Sequence, residues 1–426
     1  MKRLYRNAQI ASEDEPSLRR ADVLVEADRI LGVESQIGAV DEAEVIDCEG
    51  RILLPALFDL HVHAREPGQE HKENIASCAA AAIRGGFTGF LMMPDTRPAI
   101  DNGGVVQTVL ESARSTAIGR GIYTSGAITK GRRGEELAGI AGMKKAGAVL
   151  LTDEDAPVAN PQVLRRAMEY ARDFAMPVAS HGEVPELSAR GSMHEGSVSY
   201  ALGLQGMPAL SEEIGIARDI RIAEFTGVHL HLHHVSTARG MQTIQRAKER
   251  GIHVTCEVTP HHLMFHHEHV GDFDTSFKTQ PPLRTPEDNE RLLEGLINGT
   301  FEALVTDHSP HTEFEKNQDF ATAPFGITGL ETALCSLYDR LIHPGRLGWH
   351  HLVRCLSASP RRLLGLPAVP IQRGGIADFV VFHPEASTRF DAATMRSKAI
   401  NTPFLDQTLR GAVERVIHHG VELISA

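Results

Sequence analysis

Two histidines, His61 and His63, stand two residues apart where an apolar run of the sequence ends. A β-strand alternates its side chains between two faces, so both imidazoles point to the same side of one strand. Neutral imidazole is the commonest nitrogen ligand for zinc in proteins. The pair predicts one wall of a metal site, but the chain has 23 histidines, and an isolated pair of this kind is more often incidental.

Further metal-compatible side chains come directly after four later apolar runs. They are Asp153, His181, His234 and Asp307. Taken singly, an Asp after a strand is as readily a helix N-cap, and a His there is more often a packed core residue. One metal with an open coordination position needs about three protein ligands, so six candidates together predict two metals bridged by a carboxylate.

The histidines that precede His234 need a separate interpretation. His229, His231 and His233 alternate along one run, which is typical of packing residues or of side chains on the outside of a barrel. We assign His234 to the metal because it comes last, at the end of the predicted strand.

The elements that must position these residues are alternating strands and helices. Apolar strand-like runs alternate with helical patterns from residue 55 to residue 365, which favours a parallel sheet closed into a (β/α)8 TIM-type barrel. Functional side chains of such barrels project from the carboxyl ends of the strands, where the candidates lie. A doubly wound open sheet is the alternative, but no Gly-rich phosphate-binding motif follows the first strand.

Both ends of the chain are rich in β-type segments. Residues 21–27 and 376–382 are examples. We predict an α/β protein in which residues 1–54 and 366–426 pair into a small β-sandwich beside a barrel formed by residues 55–365.

Composition excludes several classes of function. The formal net charge of −12 disfavours phosphate backbones, so no nucleic acid partner is expected. The five cysteines are scattered and form no Cys-x-x-Cys pair, which is typical of a reducing compartment. With no signal peptide and no apolar run near ~18 residues, we expect a cytoplasmic protein without a membrane segment.

The order of the motifs resembles the amidohydrolase superfamily, and more closely the class I branch of the dihydroorotases. The resemblance covers nearly the whole chain and rests on short segments, which are 61–70, 93–96, 234–237, 259–262, 281–284, 307–311, 324–326, 329–332 and 401–404. It implies zinc as the cofactor, with two ions per subunit. The ligands implied are His61, His63, Asp153, His181, His234 and Asp307.

The resemblance also implies a reaction. It is the reversible hydrolysis of the cyclic amide of L-dihydroorotate to N-carbamoyl-L-aspartate, with Asp307 as the catalytic acid and base. Arg65 continues the alternation of His61 and His63 and suits a carboxylate, which a guanidinium grips through two parallel hydrogen bonds. The substrate contacts implied are Arg65, Asp95, Gln280, His311, Phe325 and Gly326.

Two of these contacts depart from the family pattern. Asp95 and Gln280 stand where the family usually has Asn. Asp95 adds a negative charge beside a carboxylated substrate unless it turns away or pairs with Arg97. Gln280 keeps the amide but lengthens its reach by one methylene.

Other functions remain open from the sequence. A hydantoinase or allantoinase shares the fold and chemistry, although the lysine that bridges the metals in many superfamily members is missing at the fourth strand, because Lys144 and Lys145 come several residues too early. A weakly active or non-catalytic partner of a carbamoyltransferase is a second alternative. The enzyme itself is expected to form a homodimer and to associate with aspartate carbamoyltransferase.

Overall fold

The computed structural model describes residues 2–425 as short strands and helices. The strands are β1 (Lys2–Ile10), β2 (Arg19–Glu26), β3 (Arg29–Glu34), β4 (Ala43–Asp47), β5 (Ile52–Pro55), β6 (Leu57–Val62), β7 (Phe87–Met92), β8 (Ile122–Thr124), β9 (Val178–Ser180), β10 (Met193–His194), β11 (Gly206–Met207), β12 (Leu230–Leu232), β13 (Val254–Val258), β14 (Ala303–Leu304), β15 (Phe379–Arg389), β16 (Thr408–His418) and β17 (Val421–Ser425).

The helices vary from single turns to five turns. They are α1 (Ile75–Arg84), α2 (Gly103–Arg114), α3 (Ile140–Ala146), α4 (Pro161–Asp173), α5 (Pro185–Ser188), α6 (Ser197–Leu202), α7 (Ala209–Thr226), α8 (Ala238–Glu249), α9 (Pro260–Met264), α10 (Pro286–Ile297), α11 (Glu313–Lys316), α12 (Ala333–Leu337), α13 (Trp349–Val353) and α14 (Ser359–Leu363). Short 3₁₀ turns cover Gly119–Gly121, Lys130–Arg132, His267–Val270 and Thr275–Phe277, and π-helical turns cover Tyr338–Ile342 and Arg354–Ala358.

Strands from both ends of the chain form one sheet. Its order is β17-β16-β15-β5-β1-β2-β3, and β4 pairs with β1. Strand β15 lies antiparallel to β5, with Phe379 opposite Pro55. The amino-terminal and carboxy-terminal segments therefore meet at the β15–β5 pair. The exact division of the chain at residues 54 and 366 stays a prediction.

Alternating residues of β15 show how this sheet is packed. Phe379 and Val381 belong to a core shared with Tyr5 on β1, and the Tyr5 and Phe379 rings meet edge to face at 5.1 Å. Val380 and Phe382 belong to the large core that also includes the barrel helices. Because successive strand residues face opposite sides, the sheet has one face on its own small core and the other on the barrel.

The middle of the chain forms parallel strands arranged in a ring. Strands β6-β7-β8 and β14-β13-β12-β9 make two parallel sheets. Parallel bridges join Leu151 to both Gly126 and Val178, and another joins Val62 to His308. These bridges link the two sheets on both sides, which gives the α/β barrel that the alternating pattern predicts.

A separate apolar cluster fills the interior of the barrel below the site. Phe58 and Leu60 on β6 belong to it, whereas their neighbours Leu57 and Val62 belong to the helix-facing core. The Arg361 guanidinium lies 5.2 Å from the Phe58 ring centroid. This packed interior leaves the carboxyl ends of the strands as the place for chemistry. Among the described residues, no helix is long and apolar enough to cross a membrane.

Candidate metal centre and active site

The first and last barrel strands are tied together directly beneath the site. Asp59 on β6 is fully buried, and its Oδ1 accepts hydrogen bonds from the backbone N–H of His61 at 3.0 Å and of Thr306 at 3.2 Å. The backbone N–H of His63 donates to the carbonyl of His308 at 2.9 Å. These bonds bring His61 and His63 next to Asp307.

Two of the three groups of metal-compatible atoms among the described residues share one carboxylate, and the third joins His61 to His233 and Glu257. The first group is formed by His61, His63, Glu154 and Asp307. The second group is formed by Glu154, His181 and His234. All six residues are buried, and the ligand atoms within each group lie within 4.8 Å of one another. Two adjoining groups with one common carboxylate form an arrangement that suits metal binding.

Short distances define how Glu154 joins the two groups. Its Oε1 lies 2.8 Å from Nε2 of His61 and 3.5 Å from Nε2 of His234. Nε2 of His63 lies 3.3 Å from Oδ1 of Asp307. Nδ1 of His181 lies 3.2 Å from Nε2 of His234.

The sequence assigned the shared carboxylate to Asp153, and the structure places that side chain elsewhere. Asp153 Oδ1 accepts hydrogen bonds from the backbone N–H groups of Ile128 at 2.8 Å and Thr129 at 3.0 Å, and Oδ2 accepts one from the Thr129 hydroxyl. Asp153 therefore holds the neighbouring loop. The physical reason is the backbone: Glu154 has φ +48°, and this left-handed turn sends the second carboxylate into the cluster.

The electrostatics of the cluster suit a cation. Burial opposes a charge on Glu154, but His234 and His61 outweigh it and hold the pKa of Glu154 well below its usual range. Burial acts in the same direction on Asp307, yet His63 and His61 lower its pKa to about 2. Glu154 Oε2 and His234 Nδ1 have no hydrogen-bond partner among the described residues. Ionised carboxylates, imidazoles and free buried lone pairs are the donor set that zinc and similar ions bind.

A further buried carboxylate lies beside Nδ1 of each of the two histidines, His61 on β6 and His63 just after it. Nδ1 of His61 lies 2.7 Å from Oε1 of Glu257, and Nδ1 of His63 lies 2.8 Å from Oδ2 of Asp95. The contact of Glu257 is a hydrogen bond, which fixes the His61 ring and leaves its other nitrogen free for a metal. Both Nε2 atoms then face the carboxylates of the cluster.

Arg65 is buried beside the cluster, at the side formed by β6 and the loop after β14. Its Nη1 lies 2.5 Å from Asp95 Oδ2, and Nη2 donates to Ser309 Oγ at 2.7 Å. Asp95 thus pairs with Arg65, rather than with Arg97 as the sequence allowed. The positive charge that was expected to meet a substrate carboxylate already has an internal partner.

Comparisons with known proteins agree on one family. Residues 50–240 match the family model described as dihydro-orotase-like. A dihydroorotase of Carboxydothermus hydrogenoformans is 41% identical over 98% of this chain and 97% of the relative. A dihydroorotase of Pelotomaculum thermopropionicum is 42% identical over 96% of each chain. The chain belongs to the dihydroorotase family.

Solved structures support the fold of this family member. The L-hydantoinase (dihydropyrimidinase) from Arthrobacter aurescens has a TM-score of 0.88 at 23% identity, covering 100% of this chain and 96% of that one. A dihydropyrimidinase from Brevibacillus agri has a TM-score of 0.85 at 22% identity, covering 100% and 95%. These likenesses confirm the barrel with its adjoining β-domain. As a member of the dihydroorotase family, the protein is a metal-dependent cyclic amidohydrolase.

Two further predicted substrate contacts lie on opposite sides of the dihydroorotase site. His311 Nε2 lies 3.2 Å from Arg65 Nη2, and burial together with Arg65 lowers the pKa of His311 to about 2, so the ring is neutral. Gln280 Nε2 donates to Glu183 Oε2 at 3.2 Å, and the same oxygen lies 2.8 Å from Nε2 of His181. The structure therefore places His311 beside Arg65, and Gln280 beside the group that contains His181.

The loop with Phe325 and Gly326 is held by two buried lysines. Lys278 Nζ donates to the carbonyls of Phe320 and Ala323, both at 2.6 Å, and lies 4.6 Å from the Phe325 ring centroid. Lys316 Nζ donates to the carbonyls of Pro324 and Gly326, both at 3.0 Å.

The backbone of Gly326 is already used within the protein. Its N–H donates to the Lys278 carbonyl at 2.9 Å, and its carbonyl also accepts from Asn401 Nδ2 at 3.1 Å. Gly326 therefore shapes the loop, and a ligand would meet groups beside it.

Several residues of the site were not identified from the sequence as functional. Glu257 lies inside the apolar strand β13 and contacts His61, His231 and His233. A glutamate within a buried strand is itself a signal of function, because Glu is almost never fully buried unless it is paired. His231 and His233 consequently face the barrel interior, where they form hydrogen bonds to this carboxylate.

Proposed function

We propose that this chain hydrolyses the ring amide of L-dihydroorotate to N-carbamoyl-L-aspartate, and closes the ring in the reverse direction. Membership of the dihydroorotase family supports the substrate, and the two groups that share Glu154 support the chemistry. The single observation that carries the proposal is the position of Asp307, which lies against His63 at the metal group while Arg65 lies on the neighbouring side.

Two zinc ions are the proposed cofactor. His61, His63, Glu154 and Asp307 would hold one ion, and Glu154, His181 and His234 would hold the other. When bound, the metal supplies an acidified water molecule as nucleophile and polarises the ring carbonyl.

Asp307 is the proposed catalytic acid and base. The neighbouring histidines keep its carboxylate ionised, so it accepts the proton of the attacking water. It then donates that proton to the ring nitrogen as the amide C–N bond breaks, and ring closure uses the same two transfers in reverse. The buried position of the site excludes bulk water from these steps.

Arg65 is proposed to bind the substrate carboxylate, with His311 beside it. The Phe325 loop would lie against the ring. Assembly as a homodimer, association with aspartate carbamoyltransferase and a cytoplasmic location are further proposals, which light scattering, co-purification and cell fractionation would examine.

The decisive experiment is an assay of the purified, zinc-loaded protein with L-dihydroorotate, hydantoin and allantoin in parallel, followed by ultraviolet absorbance. We expect ring opening of L-dihydroorotate and little turnover of the others. Turnover of hydantoin or allantoin alone would refute the substrate assignment. Silence on all three rings at full metal occupancy would favour a non-catalytic partner subunit.

A further inference from the structure

The Asp95 carboxylate joins the metal side of the site to the substrate side. Its Oδ2 lies 2.8 Å from Nδ1 of His63 and 2.5 Å from Nη1 of Arg65. The exposed fractions of the three residues are only 4–6%. Asp95 Oδ1 has no hydrogen-bond partner among the described residues. A single buried oxygen therefore touches both a histidine of the metal group and the guanidinium of Arg65.

The remaining donors of Arg65 are also engaged. Its Nε donates to the carbonyl of Pro310 at 3.2 Å, and Nη2 faces Ser309 Oγ at 2.7 Å and His311 Nε2 at 3.2 Å. A guanidinium grips a carboxylate best through two adjacent N–H groups. In Arg65, one of the two terminal nitrogens, Nη1, already lies against the Asp95 carboxylate.

A second charged group, Lys72, lies beside His311 and is paired within the protein. Lys72 Nζ lies 3.4 Å from His311 Nδ1, but it also lies 2.7 Å from Glu315 Oε1, so that pair is internally balanced. Among the described residues, Asp95 is the carboxylate in contact with Arg65, while Arg132 and Lys316 add positive charge without such a contact.

We propose that Asp95 competes with the substrate carboxylate for Arg65. This competition weakens the binding of ring substrates that bear a carboxylate, and it reduces the preference of the site for them over the same ring without a carboxylate. This inference rests on the proposed function, because it takes the Arg65 side of the site as the carboxylate subsite. A carboxylated ligand must either displace Asp95 from Arg65 or lie beside it. In a water-poor site, two carboxylates at one guanidinium repel each other.

Replacing Asp95 by Asn removes the charge and keeps the shape. The amide can still accept a hydrogen bond from Arg65 Nη1 through its oxygen. The substitution removes the repulsion between Asp95 and a carboxylated ligand, whereas a ring without a carboxylate is not repelled by Asp95 at all. The two classes of ligand should therefore respond differently to the same substitution.

The test compares L-dihydroorotate with 5,6-dihydrouracil, the same ring without the carboxylate. For zinc-loaded wild type and Asp95→Asn, with metal content verified, kcat/KM and ligand Kd are measured for both rings. We expect the preference for L-dihydroorotate to rise by about tenfold or more in the variant, through KM and Kd for that ring. Asp95→Ser removes the same charge and takes the place of the Asn variant if that one does not fold.

Ser309→Ala is the matched control, because it removes a neutral partner of Arg65 without altering charge. We expect it to change the preference by less than about threefold. An equal effect of Asp95→Asn on both rings would overturn the inference, since Asp95 would then act only by orienting His63. A rise in the preference for L-dihydroorotate in Ser309→Ala as large as that in Asp95→Asn would also overturn the inference. Release of an Arg65 N–H group, without loss of a charge, would then explain the effect.

The same measurements distinguish failure of the proposed function from failure of this inference. Wild type that opens neither ring refutes the proposed function, and the Kd ratio still decides whether Asp95 sets the charge preference. Wild type that opens L-dihydroorotate, with an unchanged ratio in the Asp95 variants, refutes this inference alone.

Discussion

Oε1 of Glu257 lies 2.7 Å from Nδ1 of His61 in the interior of the barrel, where neither side chain is exposed. The same oxygen lies 3.0 Å from Nδ1 of His233, and Oε2 lies 2.9 Å from Nε2 of His231. Burial opposes its charge, but His233 and His61 hold the pKa of Glu257 well below its usual range. One ionised carboxylate thus fixes His61 so that its Nε2 faces Glu154.

We predict that Glu257→Gln weakens metal binding. The amide cannot stabilise the His61 ring in one tautomer as a carboxylate does, and loss of such an outer partner typically costs 10–100-fold in metal affinity. Zinc affinity is measured by competition with a chromophoric chelator. Glu414→Gln, which alters a pair with Arg51 in the terminal sheet, is the matched control. Equal zinc affinity in Glu257→Gln and wild type would show that Glu257 is only a packing residue.

We predict different effects for substitutions of the two neighbouring carboxylates, Asp153 and Glu154. Glu154→Gln should lower the zinc content of the purified protein, because Glu154 belongs to both metal groups. Asp153→Asn should keep the metal but lower the free energy of unfolding by about 1–3 kcal/mol, because an amide NH2 group cannot accept the hydrogen bond that the Thr129 hydroxyl donates to Oδ2. Elemental analysis and thermal unfolding measure the two effects. Metal loss in Asp153→Asn with full occupancy in Glu154→Gln would restore the assignment made from the sequence.

Backbone conformation explains why the sequence identified the neighbourhood of the site but not every ligand. Alternation places His61 and His63 on one face, and the structure has them there. At the strand ends the alternation stops, because Arg65, Glu154, His234 and Asp307 all have positive φ, between +26° and +60°. Non-glycine residues rarely adopt a backbone conformation with positive φ, and no pattern of residue types predicts where it occurs. The choice between Asp153 and Glu154 therefore lay beyond the sequence alone.

Long-range contacts were the other part that the sequence could not give. The strand–helix alternation and the β-rich ends were enough to predict the barrel and its adjoining domain. The position of Asn401 was not predictable: it comes after the barrel in the chain, yet its Nδ2 donates to the carbonyls of Ser309 and Gly326, both at 3.1 Å. Its Oδ1 accepts from the N–H of His311 at 3.1 Å. Such contacts depend on the folded path of the tail.

We predict that Asp307→Asn abolishes turnover but leaves much of the metal in place. Asn retains an oxygen near His63 but cannot accept and return a proton, and loss of a general acid–base typically costs 10²–10⁴-fold in rate. Activity with L-dihydroorotate and zinc content are measured on the same preparation. Asp339→Asn is the control, because Asp339 is partly exposed and lies beside Arg340 rather than in the site. A kcat of Asp307→Asn near that of wild type would remove the catalytic role from Asp307.

We predict that Lys316→Met changes both substrate binding and the pH dependence of stability. Lys316 holds the loop at Gly326 through two carbonyls, so its loss should raise KM several-fold, roughly the effect of one or two lost hydrogen bonds. Burial, together with the nearby charge of Lys278, lowers the pKa of Lys316 from 10.5 to about 7.

The sign of the pH effect follows from proton binding. Between about pH 7 and 10.5, the unfolded state keeps a proton on Lys316 that the folded state has released, so the free energy of unfolding rises with pH. Below pH 7 both states are protonated, and the cost of burying the ammonium is present in full. The wild-type curve minus the Lys316→Met curve should therefore rise from pH 7 to 10.5, measured by denaturant unfolding. Lys130→Met, at an exposed lysine, should parallel wild type, and a flat difference curve for Lys316→Met would show that the buried ammonium carries no such cost.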